Sequence, residues 1–296
     1  HQHNPEVAKL AGGGYVVVWT SRSQDSASDT DGIYAQRYNA SGVAVGPEFR
    51  VPTLTGSSQE YAHVAGLSDG GFVITWQDNA GHDGSSWGVF GQRFDVNGVT
   101  QGAQFALSSY TSNDQYHDAV SAYAGGFAAV WSSYNPADGG YHDIHLRRFN
   151  NDGTALDGTQ LLVSTTPGNP AQQQSGHQFV PDIATLSDGD LLVVWRDDNG
   201  NDGSSHGVYG RRFDVGTGTF GDSFLVNTRT DDAQYETKVA ALSDGGYVVV
   251  WRENNQDGSG SAVMAQRYAA NDAKVGTAIR VNEYTGGSQY QPSVIG

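Results

Sequence analysis

Segments in which apolar and polar residues alternate recur along this chain at nearly regular intervals. The first segment of each repeat has a V-A-x-L pattern or a close relative of it. Its first position is filled six times: Val7, Val64, Val120, Ile183, Val239 and Val294. A glutamine stands five residues before each of these positions: Gln2, Gln59, Gln115, Gln178, Gln234 and Gln289. Alternation with a period of two predicts β-strands that bury one face, and the regular spacing predicts a repeat architecture.

Three further strands are predicted in every repeat. A turn rich in glycine and aspartate follows the first segment, and these residues supply the positive φ angles of a tight hairpin. A second strand ends in tryptophan: Trp19, Trp76, Trp131, Trp195 and Trp251. A third strand ends in Arg-Phe or Arg-Tyr, and a small residue at its third position, such as Gly91, predicts the close approach of a neighbouring sheet. A fourth strand carries alternating apolar pairs: Phe49/Val51, Phe105/Leu107, Leu161/Val163, Phe224/Val226 and Ile279/Val281.

Four antiparallel strands repeated five times predict an all-β fold, a five-bladed β-propeller of four-stranded antiparallel blades. An open β-repeat solenoid is the alternative, because it also stacks sheets that cannot bury both faces alone. We predict one domain over residues 1–296, with repeats at about 5–58, 59–114, 115–177, 178–233 and 234–288 and a repeated first strand at 289–296. Six first strands for five blades indicate a redundant copy or a section of a longer array. The insertion at 165–176 is predicted to be a loop.

The charge balance narrows the range of partners. The 296 residues include 32 acidic and 16 basic side chains, which gives a formal net charge of −16. Phosphate contacts need clustered lysine and arginine, so nucleic acid and anionic membrane surfaces are not expected partners. No apolar run has the length of a membrane-spanning helix, so membrane insertion is not expected. The absence of cysteine excludes disulfides, cysteine-ligated zinc and a cysteine nucleophile.

Two short motifs associated with enzymes occur in the wrong structural context. Segments 84–88 and 203–207 match G-x-S-x-G, but a predicted strand follows each of them where a nucleophile elbow needs a helix. Segment 216–221 matches G-x-G-x-x-G, but it lies between two predicted strands without a helix N-terminus for a pyrophosphate. All three segments are therefore predicted to be loops or turns, and no catalytic residue is assigned.

Acidic residues accumulate in the polar loop between the second and third strands. The candidate metal ligands are Asp78, Asp83, Asp138, Asp197, Asp202, Glu253 and Asp257. Oxygen ligands suit Ca²⁺, and Asp197-x-Asn199-x-Asn201 has the spacing of a calcium loop, although Val208 replaces the bidentate glutamate expected later. The other interpretation is that these carboxylates form turns or pair with the repeated arginine of the third strand.

Residues present in every repeat, such as the glutamine and the arginine, are predicted to hold loops by hydrogen bonds. Ligand specificity is then expected where the repeats differ. The loop before the third strand carries four candidate ligand-binding side chains on one predicted rim: Trp87, Tyr141, His142 and His206. A second variable position follows the repeated glutamine, and its aromatic members are expected to pack between blades: Tyr116, Phe179, Tyr235 and Tyr290.

The segment from Trp76 to Phe94 has the form W-x(n)-D-G-x-x-x-G-[IV]-x-[AG]-x-R-[FY], and it recurs from Trp195 to Phe213. This string resembles the tandem repeats of large secreted bacterial proteins of the RTX and adhesin type, over nearly the whole chain. The resemblance implies a secreted or cell-surface setting rich in calcium, and a role in attachment or carriage. The nonapeptide repeat of RTX β-rolls, with its signature G-G-x-G-x-D, does not occur in tandem here, so a β-roll calcium site is not carried over.

Three functions remain open. The first is an extracellular binding or adhesion propeller, lectin-like, that recognises carbohydrate or peptide through its rim loops and is stabilised by calcium. The second is a structural spacer repeat of a surface protein. The third is a glycoside hydrolase or lyase, which rests on fold analogy alone. No pair of acids stands outside the repeat pattern, which places the enzyme last.

Overall fold

The computed structural model describes residues 1–24, 30–54, 58–135, 140–166, 169–173, 175–203, 205–256 and 258–296. Every regular element in these ranges is a β-strand. The strands include five four-stranded sheets with neighbouring strands in chain order, which we call blades 1 to 5. The predicted repeat of four antiparallel strands is therefore confirmed.

The strand boundaries follow the repeat closely. Blade 1 comprises β1 (Gln2–Lys9), β2 (Tyr15–Arg22), β3 (Asp31–Tyr38) and β4 (Phe49–Arg50). Blade 2 comprises β5 (Gln59–Gly66), β6 (Phe72–Asp78), β7 (Gly88–Phe94) and β8 (Thr100–Ala106). Blade 3 comprises β9 (Gln115–Tyr123), β10 (Gly126–Asn135), β11 (Tyr141–Asn150) and β12 (Leu161–Leu162).

The remaining strands lie in the second half of the chain. The insertion after blade 3 contains β13 (Thr165–Thr166) and β14 (Asn169–Gln173). Blade 4 comprises β15 (Gln178–Thr185), β16 (Leu191–Asp197), β17 (Gly207–Asp214) and β18 (Thr219–Leu225). Blade 5 comprises β19 (Gln234–Ala241), β20 (Tyr247–Asn254), β21 (Ser261–Tyr268) and β22 (Lys274–Arg280). The first strand of every blade begins at the repeated glutamine.

The chain divides into two compact units, His1–Tyr134 with Leu146–Leu161, and Asn135–His145 with Leu162–Gly296. In the first unit, apolar clusters form around Trp76 and Trp131. In the second unit, a cluster forms around Trp251. The second-strand tryptophans of blades 2 to 5 are fully buried: Trp76, Trp131, Trp195 and Trp251. That the five repeats form a single domain stays a prediction.

An irregular backbone position recurs near the start of the first strand. The register between β5 and β6 shifts between Glu60 and His63, which is the signature of a β-bulge. The residue two positions after the repeated glutamine has a positive φ in all six copies: Asn4, Tyr61, His117, Val180, Glu236 and Gln291. Non-glycine residues rarely adopt this conformation, and a β-branched residue such as Val180 is strained there. Gln291 adopts it outside the five sheets, so the sixth copy has the local backbone of a first strand.

Two expectations about packing were wrong. The insertion at 165–176 contains a two-stranded antiparallel ladder of β13 and β14 rather than loop alone. The small residue of the third strand makes room for a ring of its own blade, not for a neighbouring sheet. A Cβ atom added at Gly91 would lie 2.9 Å from Cζ of Phe105 on β8, and one added at Gly210 would lie 2.8 Å from Cζ of Phe224 on β18.

The repeated glutamine holds its loop as predicted. The Gln115 side-chain amide donates to the carbonyl of Asn113 at 2.7 Å, and that of Gln234 donates to the carbonyl of Asp232 at 2.6 Å. The repeated arginine also holds a loop by hydrogen bonds. In blades 2, 4 and 5 it pairs with an aspartate of the hairpin between the first two strands: Arg93 with Asp69, Arg212 with Asp188 and Arg267 with Asp244.

Candidate binding surface

The backbone places the variable loop of one blade beside the first strand of the following blade. The amide of Gln115 donates to the carbonyl of Trp87 at 3.0 Å, and the amide of Gln234 donates to the carbonyl of His206 at 3.4 Å. The same contact joins Gln289 to Ser261 at 2.9 Å. The variable position in the loop before the third strand therefore lies beside the variable position that follows the repeated glutamine. The two residues of each such pair come from successive repeats.

In the first unit this contact produces an aromatic pair. The rings of Trp87 and Tyr116 are tilted by 51° with their centroids 5.9 Å apart, and both side chains are half-buried. Asp114 accepts hydrogen bonds from the Tyr116 hydroxyl at 2.7 Å and from the Trp87 amide at 3.2 Å. Burial first, and then the bond to Asp114, raise the pKa of Tyr116 well above its usual range. The predicted ligand residue Trp87 thus lies on the surface with a fixed orientation.

In the second unit, aromatic contacts between successive repeats continue over a longer series of residues. Phe179, Arg196, Tyr235, Arg252 and Tyr290 form a stack in which rings and guanidinium groups alternate, and we call these five residues the aromatic ladder. Arg196 lies 5.4 Å from the ring centre of Phe179 and 5.7 Å from that of Tyr235. Arg252 lies 4.3 Å from the ring centre of Tyr235 and 5.0 Å from that of Tyr290. Cation–π contacts of this kind fix both partners, which makes the ladder a preorganised surface.

Carboxylates balance the positive charge of the ladder. Arg196 donates from Nε and Nη2 to the two carboxylate oxygens of Asp198, at 2.5 and 2.8 Å. The Nε of Arg252 lies 3.8 Å from Oε2 of Glu236. The guanidinium planes are held beside the rings while their charge is largely compensated, so the ladder presents flat faces with polar edges.

The other three predicted ligand residues flank this ladder. The ring of His142 lies 4.7 Å from that of Phe179, and its Nδ1 is 3.1 Å from Nδ1 of His177. Tyr141 meets His177 edge to face at 5.5 Å, and its side chain is exposed. His206 lies 4.9 Å from the ring of Tyr235. The structure therefore brings Tyr141 and His142 together at one end of the ladder and places His206 beside its middle.

The predicted metal ligands organise their own loops. Asp78 accepts hydrogen bonds from Gln59 at 2.9 Å and from the amide of Ala80 at 2.7 Å. Asp83 accepts two from Ser85, at 3.1 and 3.0 Å. Both residues stand in blade 2, and these contacts are those of turn-forming carboxylates.

The equivalent residues of the second unit behave similarly. Burial raises the pKa of Asp197, while hydrogen bonds from Asn199, Asn201 and Gln178 act in the opposite direction. Two more described carboxylates belong to this set, Asp202 and Glu253. Asp202 accepts from Asn227 at 2.9 Å, and Glu253 accepts from Nε1 of Trp251 at 2.9 Å.

Asp138 and Asp257 lie outside the described residues. Within the part of the chain that the structure describes, no group of three or more histidine, aspartate and glutamate side chains fits a metal ion. Calcium binding stays a prediction. The described ranges also contain no helix that is long and apolar enough to cross a membrane.

One acidic residue of the first unit escaped the sequence-based reasoning. Asp118 on β9 is fully buried, and among the described residues neither of its carboxylate oxygens has a partner in normal hydrogen-bond geometry. Burial raises its pKa to about 6; His63 and the nearby hydroxyl of Thr75 oppose the shift, and Glu6 adds to it. The signal was present in the sequence, because other residue types hold this position in the other copies: Pro5, Ala62, Pro181, Thr237 and Pro292.

The sequence matches no protein-family model and no curated protein, but the fold is similar to that of several solved structures. A protein of unknown function from Dyadobacter fermentans is 13% identical with a TM-score of 0.64, over 96% of this chain and 83% of that one. An α-L-arabinofuranosidase from Lactobacillus brevis is 13% identical with a TM-score of 0.53, over 96% of both chains. A Hadza microbial sialidase is 10% identical with a TM-score of 0.58, over 96% of this chain and 59% of that one. With the five sheets, this likeness shows an all-β fold of the β-propeller class with five four-stranded blades.

Proposed function

We propose that this chain is a binding propeller for carbohydrate and that the aromatic ladder is its binding surface. The observation that carries the proposal is the alternation of aromatic rings with charge-compensated guanidinium groups along the aromatic ladder. The rings of Phe179 and Tyr235 are half-buried, and that of Tyr290 is exposed. Flat ring faces fit the apolar faces of sugar rings, and nearby polar groups set the orientation of a ligand. Asp198 and His206 supply such groups beside Tyr235.

Two other considerations support a carbohydrate ligand. Two of the similar folds bear names that refer to sugar substrates, sialidase and α-L-arabinofuranosidase. The net charge of −16 disfavours polyanionic partners such as nucleic acid. On the resemblance to adhesin-type repeats, we place this activity outside the cell, in attachment to a glycan-bearing surface, with calcium as a stabilising ion of the polar loops.

A glycoside hydrolase is the second candidate function, and the observation in its favour is the buried carboxyl of Asp118. A carboxyl with a pKa of about 6 is in the range of a general acid. However, Asp118 is fully buried and so lies out of reach of a glycosidic oxygen. Binding without bond cleavage therefore agrees better with the geometry.

A glycan array probed with the purified chain tests the proposal, with and without added calcium. We expect binding to a defined group of saccharides, weakened by Tyr235→Ala with little change in the melting temperature. Tyr284→Ala is the matched control, because Tyr284 is exposed and stands outside the ladder. If no glycan on the array binds, or if the wild type and Tyr235→Ala bind equally well, the aromatic ladder is not the binding surface. Release of reducing sugar from a bound glycan would instead support the hydrolase.

A further inference from the structure

The loop before the third strand of blade 4 brings a serine, a histidine and an aspartate together. Oγ of Ser205 lies 2.9 Å from Nδ1 of His206, and Nε2 of the same ring lies 3.6 Å from Oδ1 of Asp198. Ser205 is exposed, while the side chains of His206 and Asp198 are 25% and 18% exposed. The two ring nitrogens of His206 thus face a hydroxyl on one side and a carboxylate on the other.

Neighbouring residues hold the histidine and the aspartate in this arrangement. The amide of Gln234 on the next blade donates to the carbonyl of His206 at 3.4 Å, and the ring of His206 packs against that of Tyr235. The two carboxylate oxygens of Asp198 accept from Nε and Nη2 of Arg196 at 2.5 and 2.8 Å, which fixes the plane of the carboxylate. Only the serine lies at the exposed end of the group.

This order of groups suits the transfer of a proton from the serine. A carboxylate beside Nε2 favours the imidazole tautomer with its proton on Nε2, which leaves Nδ1 as an acceptor for the serine hydroxyl. Removal of the Ser205 proton by His206 makes the serine oxygen a nucleophile, and Asp198 stabilises the imidazolium that forms. A distance of 3.6 Å is compatible with this role, because such contacts shorten when substrate binds.

The corresponding loop of blade 2 has the same length but lacks two of these groups. Both loops match G-x-S-x-G. In blade 2, Trp87 stands in place of the histidine and Asn79 in place of the aspartate. The hydroxyl of Ser86, at the position of Ser205, donates to Asp114 instead. The turn therefore forms without the histidine and the aspartate, so their presence in blade 4 is not explained by the loop conformation.

We propose that Ser205, His206 and Asp198 form a hydrolase site that removes acyl groups from O-acylated saccharides. The saccharide part of this assignment rests on the proposed function, because His206 packs against Tyr235 of the aromatic ladder. A saccharide held on the ladder presents the substituents of its hydroxyl groups to the loop. An activated serine attacks the carbonyl carbon of an ester, so the glycosidic bonds stay intact.

The reaction consists of two steps. In the first, Oγ of Ser205 forms a bond to the acyl carbon while its proton passes to Nδ1 of His206, and the sugar oxygen leaves with that proton. In the second, a water molecule gives a proton to His206 and attacks the acyl-serine, and Ser205 recovers the proton as the carboxylic acid leaves. One water molecule is consumed for each ester, and no other reactant is needed.

A small ester and a covalent probe test the catalytic group independently of sugar binding. With p-nitrophenyl acetate we expect Ser205→Ala and His206→Gln to lower the rate by roughly 100-fold or more, and we expect a fluorophosphonate to label Ser205. Asp198→Asn should lower kcat with little change in KM, because Asp198 acts through His206. Ser86→Ala is the matched control in the loop of blade 2 and should retain the wild-type rate. Melting temperatures confirm that each variant is folded.

Two results of these assays overturn the proposal. The first is hydrolysis by Ser205→Ala at the wild-type rate, since an imidazole that acts alone requires no serine. The second is the absence of fluorophosphonate from Ser205 in the mass spectrum of the treated chain. Binding on the glycan array together with either result leaves the carbohydrate-binding proposal intact, so the two proposals fail separately.

Acetate release from a panel of chemically acetylated xylo-, manno- and arabino-oligosaccharides tests the substrate class. We expect the wild type to release acetate and Ser205→Ala to release none. Tyr235→Ala should lower kcat/KM for the acetylated oligosaccharide several-fold more than for p-nitrophenyl acetate, because only the oligosaccharide contacts the ladder. No acetate release from any oligosaccharide, or an equal loss on both substrates, overturns the assignment to acylated saccharides.

Discussion

Replacement of Asp118 by asparagine is expected to remove a pH dependence from the stability of this protein. Burial raises the pKa of the Asp118 carboxyl from 3.8 to about 6. One pKa unit corresponds to about 1.4 kcal/mol, so an upward shift of roughly two units costs roughly 3 kcal/mol once the group is ionised.

The direction of the pH dependence follows from which protonation state of Asp118 the folded protein prefers. Because the folded pKa lies above the unfolded value, the folded state binds the proton more tightly. The contribution of Asp118 to stability is thus fully present below about pH 4 and is lost as the pH rises through about 6. Above that pH the wild type holds a buried negative charge. Asparagine has nearly the same shape and never ionises, so Asp118→Asn should exceed the wild type in stability at pH 8 and not at pH 4.

Urea unfolding followed by tryptophan fluorescence between pH 4 and pH 8 measures this difference. Asp182→Asn is the matched control, because Asp182 on β15 has partners in Lys238 at 3.3 Å and the Val239 amide at 2.8 Å. That variant should lose stability at neutral pH. The reasoning is refuted if the difference in unfolding free energy between the wild type and Asp118→Asn does not change with pH. It is also refuted if Asp118→Asn is less stable than the wild type at pH 8.

Three other outcomes are expected. Trp76→Ala should destabilise the protein by about 3–5 kcal/mol in denaturant unfolding, because the side chain is fully buried, whereas Trp87→Ala, which removes a half-buried loop side chain, should leave the melting curve nearly unchanged. Gly91→Ala should cost about 1–3 kcal/mol, since the added methyl meets the ring of Phe105; Gly12→Ala, where no atom lies within 4 Å, is its control. If calcium binds the polar loops, EDTA should lower the melting temperature and calcium should restore it, and an identical curve in both conditions would exclude that role.

The repeat made the fold predictable from the sequence. The alternation of apolar and polar residues alone does not show which strands pair. The fixed order of glutamine, hairpin, tryptophan and Arg-Phe in every repeat indicates that each strand pairs with the next one along the chain. Strand β5 accordingly begins at Gln59 and β6 runs through Trp76. The expected cause of the small third-strand residue was wrong, because the sequence does not show that Phe105 lies across Gly91 within the same sheet.

The candidate site was predictable only in part. The sequence indicated that Trp87 and His206 are variable loop residues and that Tyr116 and Tyr235 pack between blades. It did not show that these two sets of residues contact each other. Their contact depends on the register of one blade against the next, which a repeat pattern does not contain. Arg196 was missed because it follows Trp195 directly and shows its role only when Phe179 and Tyr235 stand on either side of it.

Contacts between first strands argue for a binding surface rather than a spacer. Four residues after the repeated glutamine, Glu6 meets His63 at 3.1 Å in the first unit, and Asp182 meets Lys238 at 3.3 Å in the second. Each pair joins two different residue types from successive blades, so one blade does not substitute for another without loss of a partner. A spacer needs only interchangeable units, because its length is its function. A surface composed of one particular residue from each of several blades needs a fixed blade order, which these complementary pairs encode.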